Sequence, residues 1–134
     1  MQKEKTIIID TNGWMAVAEF KIDLFSELEK TCDFNYKIKL LSGTIEELKK
    51  ITVEQRGKFR QAALLALKLI EVKKNSRKVQ VVEELPEENE SVDDLLAEHS
   101  EQGDLILTQD MGLKKRLKKP YLTIRQKKKI MIVK

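Results

Sequence analysis

Short apolar runs of strand length, separated by segments of helical length, constrain this chain more than any other feature. Residues 6–9 form a continuous, β-branched run, the pattern of a strand buried on both faces. Residues 37–41 alternate apolar with polar, and 79–82, 105–108 and 121–124 are further strand-like runs. Residues 130–133 read as an extension of the last one. Between these lie helical segments at 14–20, 24–28, 44–51, 58–72, 91–99 and 112–117. In the longest, Phe59, Ala62, Ala63, Ala66, Leu67 and Ile70 fall at helical spacing, as a core-facing stripe does. Asn12-Gly13 and Ser42-Gly43 read as breaks after strands. Strands that alternate with helices predict a parallel sheet covered on both faces, an α/β fold. A length of 134 residues suits one domain spanning 1–134, closed by a basic strand or tail over 121–134.

In a parallel sheet all carboxyl strand ends lie on one edge, where open α/β sheets place their sites. Asp10 closes the run Ile7-Ile8-Ile9, and Asp110 follows the strand at 105–108. Glu47 and Asp93 stand in the first turns of two predicted helices. Each acid has a plainer explanation. Asp10 and Asp110 suit helix N-caps, Thr44 and Glu47 have capping-box spacing, and Ser91 and Asp94 share it in a looser form. Together near one sheet edge, however, four carboxylates repel unless a cation joins them.

Helical geometry selects among neighbours. Glu47 lies roughly 100° from the centre of the face set by Ile45, Leu48 and Ile51, and Glu46 roughly 160°. Asp93 lies roughly 110° from the centre of the face of Val92, Leu95 and Leu96, and Asp94 roughly 150°. Glu47 and Asp93 are therefore the cleft-facing choices, with Asp94 kept as a further ligand candidate. Asp104 precedes its strand and belongs to the opposite edge. Oxygen donors of this kind suit Mg²⁺ or Mn²⁺. Thr11, Asn12 and Thr108 stand beside the acids as supporting hydrogen-bonding groups.

Charge adds a second clue. The net charge of +4 conceals ten acidic residues and no Lys or Arg between Glu83 and Asp104, then ten Lys or Arg and no acid from Met111 onward. The basic block offers a phosphate-binding surface, although its lysines taken singly read as a solvated face. Cys32 and His99 are the only residues of their kinds, so neither an intrachain disulfide nor a Cys/His zinc site is available. With no signal peptide or membrane-length run, a cytoplasmic protein without membrane association is expected.

The segments Ile8-Ile9-Asp10-Thr11-Asn12, Glu46-Glu47-Leu48, Val92-Asp93-Asp94-Leu95-Leu96 and Leu107-Thr108-Gln109-Asp110, followed by Leu113-Lys114-Lys115-Arg116-Leu117, resemble the PIN-domain nucleases in order and spacing over nearly the whole chain. The resemblance implies a three-layer α/β/α sandwich around a parallel five-stranded sheet. It also implies a metal-dependent endoribonuclease, with Asp10, Glu47, Asp93 and Asp110 as its catalytic and metal-binding quartet. Two branches fit: VapC-type toxins, and endonucleases of ribosomal-RNA processing. The pair Asp93-Asp94, the segment Leu113 to Lys119 and the ending Ile124-Arg125-Gln126-Lys127-Lys128 resemble the second more, or an archaeal group near both. The implied partners are RNA, with a homodimer, an antitoxin or a ribosome-assembly partner left open. Lys114, Lys115, Arg116 and Arg125 are the expected RNA contacts, since guanidinium suits phosphate oxygens. Aromatic residues are few, and Trp14 and Phe20 read as core, so recognition through RNA shape and backbone is expected.

Other classes fit less well. A haloacid-dehalogenase-like phosphatase needs a second Asp where Asn12 stands, and a response-regulator receiver needs an acidic pair that the first strand lacks. A catalytically inactive PIN-like module binding RNA or protein is the serious alternative. Retention of all four acids disfavours it.

Overall fold

The computed structural model describes residues 4–134. The elements run β1 (Lys5–Ile9), α1 (Thr11–Glu19), α2 (Leu24–Thr31), β2 (Tyr36–Leu41), α3 (Ser42–Glu54), α4 (Lys58–Asn75), β3 (Val79–Val82), α5 (Val92–Glu101), β4 (Leu105–Leu107), α6 (Met111–Lys114), β5 (Tyr121–Arg125) and β6 (Lys129–Val133). The sheet order is β3-β2-β1-β4-β5-β6. The first five strands are parallel, as expected, and β6 is antiparallel to β5.

The sixth strand corrects the reading of 130–133 as a continuation of the fifth. Gln126 and Lys127 both take positive φ, 55° and 56°, and the Lys128 N–H donates to the Arg125 carbonyl. That backbone reverses the chain into a hairpin, a job usually left to Asn or Gly.

The three isoleucines that end β1 show why this part of the strand must be apolar on both faces. Ile7 and Ile9 pack into a core built with α1, α2, α3 and α4, whereas Ile8 joins Val92, Leu95 and Leu96 of α5 and Leu113 of α6 on the other face. All three are fully buried, and each such side chain contributes about 1.5–3 kcal/mol relative to an exposed one. The layers are thus helices, sheet, helices. Strand order reverses between β1 and β4, which is where a crevice opens outside the carboxyl ends of a doubly wound sheet.

Three local expectations change. Asn12-Gly13 does not break the chain but sits in the first turn of α1. Helix α3 starts at Ser42, with Leu41 as an N-cap that makes no side-chain bond, so Thr44 is inside the helix and buried rather than part of a capping box. Phe59 lies in the first turn of α4 beside a groove facing α1, and is 63% exposed instead of core. By contrast, the Ser91–Asp94 capping box forms fully.

The acidic loop before α5 is tied down at several points. Ser42 Oγ accepts from the Glu84 N–H at 2.8 Å, and the Glu84 carbonyl accepts from Gly43 N–H at 3.1 Å. His99 contacts Glu84 at 2.9 Å through Nε2 and Asp104 at 3.0 Å through Nδ1. Burial alone would lower the His99 pKa. The hydrogen bonds and charges of the two carboxylates outweigh it and hold the ring above its ordinary 6.5. A base whose folded pKa is raised gives its full stabilisation below the unfolded pKa near 6.5, and loses it as pH climbs through the folded value. His99→Gln should therefore lower the melting temperature at pH 6 by more than at pH 9. An equal loss at both would show that the ring acts by packing alone.

Candidate functional site

Asp10 leaves β1 at the strand-order reversal and is 3% exposed. Its N–H donates to Leu107 of β4 at 3.1 Å. Its Oδ1 accepts from Gly13 N–H at 2.6 Å, which makes it the N-cap of α1, and its Oδ2 accepts from the Thr108 hydroxyl. Thr108, fully buried, also accepts from the Asp110 N–H at 2.9 Å. One hydroxyl thus fixes the acids at the ends of β1 and β4. Asp110 caps α6 through Leu113 N–H at 3.0 Å. The capping explanation for both acids is correct, and it does not compete with a site: each cap holds a carboxylate at the crevice with oxygen lone pairs to spare.

Glu47 is half-buried and accepts from the Thr11 hydroxyl. Glu46 points outward to Lys49 at 3.7 Å, as the helical-face count requires. Asp93 is half-buried on α5. Asp10, Glu47, Asp93 and Asp110 all line one cleft of about 350 Å³, together with Thr11, Asn12, Lys50, Ile51 and Glu54. Lys50 and Glu54 were missed in the sequence. Their spacing of three and seven residues from Glu47 places them on its helical face and was the available signal.

The carboxylates sense one another. Burial chiefly, with the charges of Asp93 and Asp110, lifts Asp10 from 3.8 to about 7 against the lowering effect of its bonds to Thr108 and Gly13. Burial and then the charge of Asp110 raise Asp93 as well. Such a set of hard oxygen donors, strained by like charge, fits a divalent cation in chemistry. As the side chains stand, no three His, Cys, Asp or Glu residues among the described ones are grouped to hold an ion. The fit is therefore of donor type and placement rather than of finished coordination.

Asp94 turns away. Its backbone cap on Ser91 and its bond to Arg116, at 2.6 Å, lower its pKa. Arg116 is thereby paired rather than free, although exposed pairs of this kind hold weakly. Arg125 ends β5 on the same sheet edge as Asp10, and Lys114 and Lys115 follow Asp110. Asp104 lies at the opposite edge, as expected, beside a larger cavity of about 570 Å³ that none of the four acids lines. None of the helices among the described residues is long and apolar enough to cross a membrane.

A mostly parallel sheet with an acid-lined crevice at its order reversal defines an α/β protein with a candidate hard-cation site. The family profile described as "PIN like domain" matches residues 7–127, and the chain belongs to that family. Among solved structures it is similar to one titled "Structure of the PIN domain endonuclease Utp24", with a TM-score of 0.69, 23% identity, and coverage of 95% of this chain and 90% of that one. At that identity the likeness carries the fold. Comparison with functionally characterised proteins by sequence gives no match.

Proposed function

We propose that this protein is a divalent-metal-dependent endoribonuclease with Asp10, Glu47, Asp93 and Asp110 as its acidic site. The observation that carries the reading is the convergence of all four on one cleft at the strand-order reversal. Membership of the PIN-like family and the fold likeness to a PIN domain endonuclease support it. Bound Mg²⁺ or Mn²⁺ would supply positive charge for phosphate oxygens and acidify water for attack.

The chain's own residues organise the rest. Thr108 orients Asp10 and Asp110 through one hydroxyl, and Thr11 orients Glu47. Lys50 and Asn12, on the cleft wall, are donors suited to a phosphate oxygen. In hydrolysis the water oxygen bonds to phosphorus as the bond from phosphorus to O3′ breaks, leaving a 5′-phosphate and a 3′-hydroxyl. Lys114, Lys115, Arg116 and Arg125 would bind the strand outside the cleft.

The test is cleavage of single-stranded and structured RNA with Mn²⁺, Mg²⁺ or a chelator. Wild-type protein should cut only with metal, and Asp93→Asn should not cut. Cleavage that persists in both Asp93→Asn and Asp10→Asn overturns the assignment. RNA binding without cleavage by the wild type would favour an inactive RNA-binding module. Mn²⁺ should also raise the melting temperature, since a ligand at a hundredfold its Kd adds about 2.7 kcal/mol to the folded state.

A further inference from the structure

The acidic cleft has an apolar neighbour. Asn12 lines the cleft on one side and, on the other, a groove of about 480 Å³ between α1 and α4. Met15, Phe20, Phe59 and Ala62 give it an apolar lining, with Glu19, Lys58 and Gln109 among its polar residues. Phe59 leaves 63% of its surface to solvent, although Ala62, Ala63 and Ala66 of the same helix are buried. Lys127 Nζ stands 5.5 Å from the centre of the Phe20 ring, which adds a second cation near the groove.

We propose that this groove receives an unpaired nucleobase of the RNA strand whose phosphate occupies the acidic cleft, with the base stacked on Phe59. The RNA occupant rests on the nuclease reading given above. Three observations select a base over other occupants. First, the groove and the cleft share Asn12 as a wall, so the two lie side by side within reach of one strand. Second, the charges are arranged for a neutral ring flanked by phosphates. Glu19 in the lining repels phosphate, while Lys58 and Lys127 attract it. Third, Gln109 has a fixed orientation. Its Oε1 accepts from the Ile124 N–H at 2.7 Å and the Thr123 hydroxyl at 2.9 Å. A backbone N–H only donates, so the oxygen end is settled and the amide NH₂ remains as donor for a base edge. The scarcity of aromatic residues pointed to recognition of backbone and shape. One exposed ring beside the cleft is enough for a single stacked base.

Two measurements test this. In steady-state cleavage of a single-stranded RNA, Phe59→Ala should raise KM about tenfold, in keeping with the loss of one base–aromatic stack, with kcat little changed. Phe59→Trp should restore KM. Separately, the Asp10→Asn protein should change the fluorescence of a short single-stranded RNA carrying 2-aminopurine at one position, as the base leaves its stacked neighbours for the phenyl ring, and added Phe59→Ala should abolish the change. An unchanged KM and an unchanged fluorescence response in Phe59→Ala overturn the proposal. So does a change in solution mass by light scattering without any change toward RNA, which would make the groove a contact between copies. If the wild type binds RNA but cuts none, the nuclease reading fails while the fluorescence arm still decides the groove.

Discussion

Asp10→Asn is expected to reduce metal-dependent RNA cleavage by on the order of 10³-fold and, in the same protein freed of metal, to increase stability at neutral and alkaline pH. The opposite signs come from one environment. Asp10 is almost wholly buried, and its carboxyl titrates at about 7 instead of 3.8. The folded state thus binds the proton more tightly than the unfolded chain. Below 3.8 both states are protonated and no penalty exists. The penalty grows as pH rises from 3.8 to about 7 and is constant above. A shift of that size corresponds to about 4 kcal/mol. Asn keeps the oxygen that caps Gly13 but cannot accept from Thr108 at its nitrogen, so the expected net gain is smaller, about 1–3 kcal/mol. Urea unfolding in chelator at pH 5 and pH 8 checks it. Wild type should lose stability between the two, and Asp10→Asn should lose less. An Asn variant that is less stable than wild type at pH 8 would mean that Thr108 and Gly13 already satisfy the ionised carboxylate.

That same environment explains which parts of the site were legible in the sequence. Asp10 and Asp110 announce themselves because a buried parallel strand is an uninterrupted apolar run, and an acid at its end must sit on the carboxyl edge. Glu47 and Asp93 follow from counting angles around a helix, and the outward pairing of Glu46 with Lys49 and of Asp94 with Arg116 agrees with that count. Thr44 misled because β2 passes into α3 with no polar cap between them, so spacing alone suggested a box where none forms. The hairpin at Gln126 and Lys127 carries no Gly or Asn to mark its left-handed turn. Periodicity assigned Phe59 to a face, but whether a neighbouring helix covers that part of the face is a tertiary fact. The His99 network is likewise invisible in sequence, since Glu84 and Asp104 flank the histidine from opposite ends of α5.

Gly13→Ala is expected to destabilise the protein by about 2–3 kcal/mol, against the usual direction for such a change. Within an ordinary helix Ala is better than Gly by about 1 kcal/mol. Here a Cβ would stand 2.8 Å from Ile9 Cγ2, 2.9 Å from Asp10 Oδ1 and 3.0 Å from the Leu107 carbonyl oxygen. The first two belong to the end of β1, and the third is backbone of β4 that already accepts the Asp10 N–H. None can yield without moving a strand end or the carboxylate itself. The added methyl therefore pushes α1 off the sheet edge, lengthens the 2.6 Å bond from Gly13 N–H to Asp10, and displaces Asp10 from the cleft. A displacement on the order of 1 Å at a reacting centre costs about 10²-fold in rate, so cleavage should fall even at temperatures where the variant remains folded. Thermal unfolding and single-turnover cleavage of the one protein separate the two effects. A variant as stable and as active as wild type would show that the helix can shift freely, and that close approach of α1 to the ends of β1 and β4 is not what holds the first acid in place.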